Sequence, residues 1–203
     1  MHRRFKNPYR FSLLLPVVSI AIIGSSLYFG IAYEPDWTYD WEGIRTEIRD
    51  STRLVAERDF ISNGVVGNSG RTPLQFYRRK WIMKNATIEE LSRLTKYPNG
   101  TVKAMAYEGL IRSSDGLEFE LVMSALNERS DLVYYMSGCE EETMLIGEYL
   151  VNTLFRDELK IPGPLPPPRS NIYEFSPEEK RELKEVYTDL MREKQELIID
   201  IIY

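Results

Sequence analysis

Residues that could perform nucleophilic or metal chemistry are scarce in this sequence. It holds one cysteine, Cys139, and one histidine, His2, which stands at the N-terminus. A single thiol cannot form an intramolecular disulfide or a thiolate zinc site. No Ser-His or Cys-His catalytic arrangement can be built in the body of the chain. We therefore predict no catalytic residue, no cofactor and no metal site.

The acidic side chains offer a second kind of chemistry. Three glutamates follow Cys139 directly, and negative neighbours disfavour a reactive thiolate. We interpret Cys139 as a buried or half-buried structural residue. A hydrolase that uses a pair of carboxylates stays open among the 31 acidic residues, but nothing in the sequence selects the pair.

Two motifs resemble binding sequences without completing them. Three glycines between positions 64 and 70, followed by Arg71, resemble a phosphate-binding loop, but the spacing is wrong and arginine replaces lysine. We interpret them as a flexible linker. The proline-rich residues 161–169 match a PxxPxR ligand of SH3-type domains, and they also suit a stiff polyproline spacer. We favour the spacer.

Residues 11–33 form an apolar run without a charged side chain. As a helix, about 23 residues would span roughly 35 Å, which is enough to cross a bilayer. Four basic residues and no acid precede the run, so the positive-inside rule places the N-terminus in the cytoplasm. The bulk of the chain is then extracytoplasmic, or periplasmic in a Gram-negative bacterium. A signal peptide cleaved after residue 32 is the alternative.

Small residues within this run could pack against other membrane helices. Gly24, Ser25 and Gly30 allow two helix backbones to approach closely. They are candidate packing residues if the chain is a small structural subunit of a larger membrane complex, with the lipid bilayer as its other partner.

The charge balance differs between the two parts of the chain. The first 33 residues hold four basic residues and no acid, so the remaining 170 hold 22 basic and 31 acidic residues, a net charge of −9. Such an acidic body disfavours nucleic-acid binding. Its length suffices for one domain with a real core and an appendage.

The pattern of apolar residues is helical along most of the body. A helix that begins at Pro73 and ends near Lys84 has its predicted apolar side at Leu74, Phe76, Tyr77, Trp81 and Ile82. The predicted order is a basic leader (1–10), a transmembrane helix (11–33), a juxtamembrane helix and loop (34–71), a helical domain (72–158), a proline-rich linker (159–175) and an amphipathic helix (176–203).

One part of the helical domain resembles a known repeat. Thr87 and Glu90 form a capping box, and a second helix begins after Asn99 with Val102-Lys103, Ala106 and Gly109-Leu110. Residues 86–112 therefore resemble a unit of the HEAT family. The resemblance implies two closely packed helices, with small side chains at Ala106 and Gly109. Because the signature occurs once, we expect a compact helical domain rather than a repeat array.

The C-terminal helix carries an apolar face at heptad-like spacing. The interaction candidates on this face are Leu183, Tyr187, Leu190, Leu197 and Ile201. This face could dock on the protein's own domain, or it could pair with a second copy or a partner protein. The proline spacer before it favours the second interpretation, and both stay open.

These observations predict an all-α fold with an N-terminal single transmembrane helix, a compact helical domain with a HEAT-like hairpin, and a C-terminal amphipathic helix. The predicted function is a single-pass membrane-anchored interaction or accessory protein that binds a protein partner or itself. The alternatives are a membrane-tethered carboxylate hydrolase and a small structural subunit of a membrane complex.

Overall fold

The computed structural model describes residues 17–24, 39–67, 71–160 and 173–202. The chain divides into two units, Met1–Asp40 and Trp41–Tyr203. In the first unit, residues 17–24 form a helix, α1, whose large apolar side chains are exposed.

The prediction of a membrane-spanning helix is wrong for the part of the chain that the structure describes. Helix α1 has eight described residues, which extend over about 12 Å, whereas a bilayer core is about 30 Å thick. No helix among the described residues is both long and apolar enough to cross a membrane. The single-pass assignment and the location and lipid partner inferred from it are therefore corrected. Residues 11–16 and 25–33 of the predicted span lie outside the described ranges.

The second unit is mostly helical. Its helices are α2 (Thr46–Arg58), α3 (Leu74–Asn85), α4 (Ile88–Leu94), α5 (Gly100–Ser113), α6 (Glu118–Leu126), α7 (Ile146–Leu150), α8 (Arg156–Leu159) and α9 (Pro177–Ile202), and a π-helical turn, Val151–Phe155, joins α7 to α8. Two helix starts follow directly from local sequence. Thr87 and Glu90 form the predicted capping box of α4, and Ser176 and Glu179 exchange the equivalent bonds at α9.

A three-stranded mixed sheet stands beside these helices. Its strands are β1 (Ile61–Val66), β2 (Leu132–Gly138) and β3 (Glu140–Leu145). β1 pairs with β2 in parallel, and β2 pairs with β3 in an antiparallel hairpin. Helices α3 to α6 make the connection between the two parallel strands, as a parallel pair requires.

The predicted all-α fold class is therefore wrong. Strand β2 shows the alternation of a half-buried strand, because Val133 and Tyr135 are buried and Leu132 and Tyr134 are exposed. The sequence predicts a loop where β1 lies, within residues 34–71, and a helical domain where β3 lies, within residues 72–158. Both errors have one cause, because each strand forms by pairing with β2 rather than by local preference.

The core lies between the inner face of the sheet and helices α5, α6, α7 and α9. Helices α4 and α5 form a hairpin at its edge. A methyl group at Gly109 of α5 would lie 3.1 Å from Leu91 of α4, so a small residue is needed at this contact. The close packing that the sequence predicts at Gly109 is confirmed.

Helix α9 packs on the protein's own core. Leu183 and Leu190 are fully buried, and Tyr187 is 9% exposed. Lys194 Nζ lies 2.7 Å and 2.9 Å from the two carboxylate oxygens of Glu148 on α7 and donates to the carbonyl of Thr143 on β3. Glu148 is buried and also accepts from the backbone amide of Leu145. Apolar burial and this buried ion pair thus attach α9 to the domain, together with the more exposed pairs Lys180–Glu158 and Arg129–Glu193.

We expect Lys194→Met to lower the free energy of unfolding by about 1–3 kcal/mol, because it leaves the Glu148 carboxylate buried without its cation. Chemical denaturation measures this change. Lys180→Met is the matched control, because it removes a more exposed pair with Glu158 and should cost less than about 1 kcal/mol. Equal losses in the two variants would show that Lys194 is not an anchor of α9.

Candidate interaction surface

Helix α3 departs from the usual amphipathic arrangement. Its buried side chains are Gln75, Arg79 and Ile82, of which two are polar. Leu74, Tyr77 and Trp81 are 69%, 56% and 42% exposed. At about 100° per residue, these three side chains lie within an arc of about 60°, so they form one apolar stripe, which we call the α3 outer face. Buried polar groups and exposed apolar stripes are the informative exceptions in a fold.

The sequence-based assignment of the apolar side of α3 is therefore wrong. Of the five residues predicted to pack inward, Ile82 is buried and Phe76 is half-buried, whereas Leu74, Tyr77 and Trp81 point outward. The predicted start at Pro73 also differs by one residue, because Pro73 occupies the N-cap position and the hydroxyl of Thr72 before it donates to the carbonyl of Gly64. The orientation of α3 is set by long-range polar contacts.

Arg79 makes the deepest of these contacts. Its guanidinium lies 2.8 Å from Glu108 Oε2 on α5 and also donates to the hydroxyl oxygen of Tyr149 on α7. The Tyr149 hydroxyl in turn donates to the same carboxylate oxygen at 2.7 Å. Arg112 donates to the other oxygen of Glu108 at 2.9 Å. We call Arg79, Glu108 and Tyr149 the buried triad, which joins three helices at one point.

The members of the buried triad determine one another's charge states. Burial alone would raise the pKa of Glu108, but the charges of Arg79 and Arg112 outweigh it and hold that pKa below its usual value. Burial raises the pKa of the Tyr149 phenol well above its usual value. Glu108 is therefore a carboxylate and Tyr149 a neutral donor. Because all three members are buried, the buried triad acts as an anchor of the fold.

Two further contacts hold α3 in place. Gln75 donates its side-chain amide to the carbonyl of Val55 on α2 at 3.0 Å. At the other end, Arg45 donates to the carbonyl of Asn85 at 2.5 Å and forms a bidentate ion pair with Glu90 at the start of α4. The outer face of α3 is thus carried by a helix fixed along its length.

The bidentate ion pair of Arg45 and Glu90, which we call the Arg45–Glu90 clamp, contributes stability that depends on pH. Hydrogen bonds from Arg45 lower the pKa of Glu90 from 4.5 to about 2. A lowered carboxyl pKa contributes stability that is present above pH 4.5 and is lost as the pH falls towards 2. We expect Glu90→Gln to lower the free energy of unfolding by about 1.5–3 kcal/mol at pH 7, and the difference from wild type should shrink across that window.

Urea unfolding of wild type and Glu90→Gln at pH 7, 4 and 2.5 tests this expectation. Glu57→Gln, at an exposed position on α2, is the control and should leave stability within about 0.5 kcal/mol of wild type. A difference between wild type and Glu90→Gln that is constant with pH would contradict the assignment of the Arg45–Glu90 clamp.

The residues singled out from the sequence lie elsewhere. Gly24 is on α1, where a methyl group would meet no atom within 4 Å among described residues, and Ser25 and Gly30 lie outside the described ranges. The C-terminal candidates are in α9. Leu183, Tyr187 and Leu190 pack in the core, whereas Leu197 and Ile201 belong to α9 by their backbone but their side chains lie outside the description. Their role in binding a partner stays a prediction.

The sequence of α3 carries a partial signal for its outer face. Gln75 and Arg79 are one helical turn apart, on the side opposite to Leu74, Tyr77 and Trp81. If these polar residues point inward, the aromatic residues must point outward. The sequence of α3 does not say which side is inward, because the partners Glu108 and Tyr149 lie 29 and 70 residues away from Arg79.

Cys139 and the acidic residues are the candidates for catalysis that the sequence offers in the described part of the chain. Cys139 is exposed, so its prediction as a buried or half-buried residue is wrong. No group of His, Cys, Asp and Glu suited to a metal occurs among the described residues. A concavity of about 640 Å³ lies along one side of α9 and includes Glu185 and Asp189. These acids are on successive turns of one helix and do not face each other, so the cavity does not favour the hydrolase hypothesis.

Comparison of the chain with models of protein families, with curated proteins and with solved structures found no match. The resemblance of residues 86–112 to the HEAT family therefore has no support beyond its own sequence signature. The function must be inferred from the geometry of the described residues, and the feature that stands out in this geometry is the α3 outer face.

Proposed function

We propose that the second unit is a protein-interaction module that binds a partner through the α3 outer face. The observation that carries this proposal is the outward position of Leu74, Tyr77 and Trp81 on a helix whose Gln75 and Arg79 side chains are buried. Soluble domains rarely expose contiguous large apolar side chains without a use for them. The proposal keeps the predicted role in interaction and omits the membrane anchor.

The residue types on this face suit a binding site. Tyrosine and tryptophan are over-represented among the residues that dominate binding energy, because each offers a large rigid area and one polar atom. Tyr77 also contacts the ring of Phe76 at 5.6 Å between centroids. This neighbour limits the freedom of the Tyr77 ring, so less conformational entropy is lost on binding.

The anchoring of α3 supports the same role. A helix held by the buried triad, by Gln75 and by Arg45 cannot rotate to hide its apolar side without breaking buried polar contacts. The fold therefore keeps three large apolar residues exposed, although their contact with water is unfavourable. Such a rigid support is what a preorganised binding surface requires.

The combined variant Leu74→Ser, Tyr77→Ser and Trp81→Ser tests the proposal. We expect it to retain wild-type stability to within about 1 kcal/mol, because the replaced side chains are exposed. We expect it to lose at least about tenfold of its partner binding, since single central residues of an interface often contribute that much. Affinity capture from the native cells, with quantitative mass spectrometry, measures the loss.

A matched control replaces three other exposed apolar residues. Leu117, Leu132 and Tyr134 are 52%, 46% and 48% exposed, and their combined change to serine should leave capture intact. The proposal is rejected if both triple variants retain the same captured proteins, or if both lose them equally.

A further inference from the structure

The α3 outer face has a cationic border. On a helical projection at about 100° per residue, Arg78 lies on one side of the stripe, and Lys80 and Lys84 lie on the other. Lys80 and Lys84 are exposed and Arg78 is half-buried. The twelve residues of α3 include no acid. The stripe is therefore flanked on both sides by positive charge.

These three cations lack the carboxylate partners that neighbouring cations have. Arg45, Arg79 and Lys103 each form an ion pair within the domain. Within the part of the chain that the structure describes, Arg78, Lys80 and Lys84 form no salt bridge. Lys80 instead lies over the ring of Phe76, with its Nζ 4.3 Å from the ring centroid. Their charge is available to a partner.

The charge of the rest of the chain makes this border distinctive. Residues 34–203 carry a net charge of −9, so α3 is a local positive region on an acidic body. That overall charge opposes the approach of a nucleic-acid backbone. A second copy that docked through the same face about a two-fold axis would bring two identical cationic borders together. The acidic body therefore disfavours the first occupant, and like charges at the border disfavour the second.

The dimensions of the face suit another helix. From Leu74 to Trp81 the stripe covers about two turns, or roughly 10 Å. A narrow apolar stripe with charged flanks is the pattern by which one amphipathic helix packs on another. The complement of this surface is an apolar stripe flanked by carboxylates.

We propose that the partner segment is an acidic amphipathic helix, whose apolar stripe packs on Leu74, Tyr77 and Trp81 and whose glutamates or aspartates pair with Arg78, Lys80 and Lys84. This inference rests on the proposed function and adds the chemistry of the partner. Charge complementarity across an interface chiefly sets specificity and the rate of association, so the preference for an acidic partner should be strong at low salt.

Binding of designed peptides to the full chain tests the inference. Three fluorescein-labelled helical peptides of equal length are used: one with a leucine stripe flanked by glutamate, one with the same stripe flanked by lysine, and one with the glutamate composition in scrambled order. Fluorescence anisotropy should show the glutamate peptide binding at least about tenfold more tightly than either other peptide. The preference should fall as salt is added.

Two variants separate failure of the inference from failure of the proposed function. The charge reversal Arg78→Glu, Lys80→Glu and Lys84→Glu should transfer the preference to the lysine peptide, and the triple serine variant should bind neither. Equal binding of the glutamate and lysine peptides to the wild type, lost in the serine variant, would overturn the acidic partner and leave the interaction face in place. Binding that survives in the serine variant, or no binding by the wild type, would overturn both. Tighter binding of a single-stranded oligonucleotide than of the glutamate peptide would also overturn the acidic partner.

Discussion

Replacement of Arg79 by methionine is expected to lower the free energy of unfolding by about 3–5 kcal/mol. Arg79 is buried, and the Glu108 carboxylate with which it pairs is 2% exposed. Methionine fills most of the volume but supplies no charge, so Glu108 remains buried beside Tyr149 with only Arg112 as a cation. Equilibrium urea denaturation measures the loss.

Two further variants make this prediction specific. Arg78→Met removes the neighbouring, less buried arginine and should change stability by less than about 0.5 kcal/mol. The double variant Arg79→Met, Glu108→Leu removes both charges, so it should be more stable than Arg79→Met alone. An Arg79→Met variant that loses less than about 1 kcal/mol, or a double variant that is less stable than the single one, would contradict the role of the buried triad.

Replacement of Gly100 by alanine is expected to cost about 3 kcal/mol or more. Gly100 is the first residue of α5, and a Cβ atom there would lie 2.1 Å from the carbonyl oxygen of Leu132 at the start of β2. This obstacle is backbone and cannot rotate away. The methyl group therefore forces α5 and β2 apart, and this separation loosens the packing of the adjacent core.

Gly64→Ala is the matched control for this glycine. Its added methyl would lie 3.5 Å from the ring of Phe76, an ordinary contact, so thermal unfolding should place it within about 1 kcal/mol of wild type. If Gly100→Ala were as stable as Gly64→Ala, the close approach of α5 to β2 would be refuted.

Local structure could be predicted from the sequence where its causes are local. The capping boxes at Thr87 and Ser176 need only residues three positions apart, and both are present in the structure. The close contact at Gly109 follows from one small residue in a helical hairpin. In each case, the residues that determine the structure lie within one segment of the chain.

The sheet and the orientation of α3 could not be predicted in this way. Strand β1 pairs Ile61 with Tyr135, which is more than seventy residues later in the chain. Arg79 points inward because its partners Glu108 and Tyr149 lie in the interior of the domain. The sequence of α3 itself contains no sign of Glu108 or Tyr149. Its local pattern therefore predicts an ordinary amphipathic helix with its aromatic side buried.

The apolar run near the N-terminus and the apolar face of α9 both show how little an apolar pattern says about its surroundings. The described helix at residues 17–24 is too short to span a bilayer, and the first half of the α9 face is covered by the protein's own core. An apolar pattern shows that a segment avoids water, and it does not identify what covers the segment. The α3 outer face is the opposite case, an apolar stripe that remains exposed.

Site-specific photo-crosslinking from the α3 outer face tests the central claim most directly. A benzophenone amino acid replaces Tyr77 in one protein and Tyr134 in another, because the two tyrosines are similarly exposed, at 56% and 48%, and lie on α3 and β2. Illumination of the native cells should give a discrete protein adduct from position 77, with none of the same mass from position 134. The absence of an adduct from position 77, or the same adduct from both positions, would contradict the assignment of α3 as the binding surface.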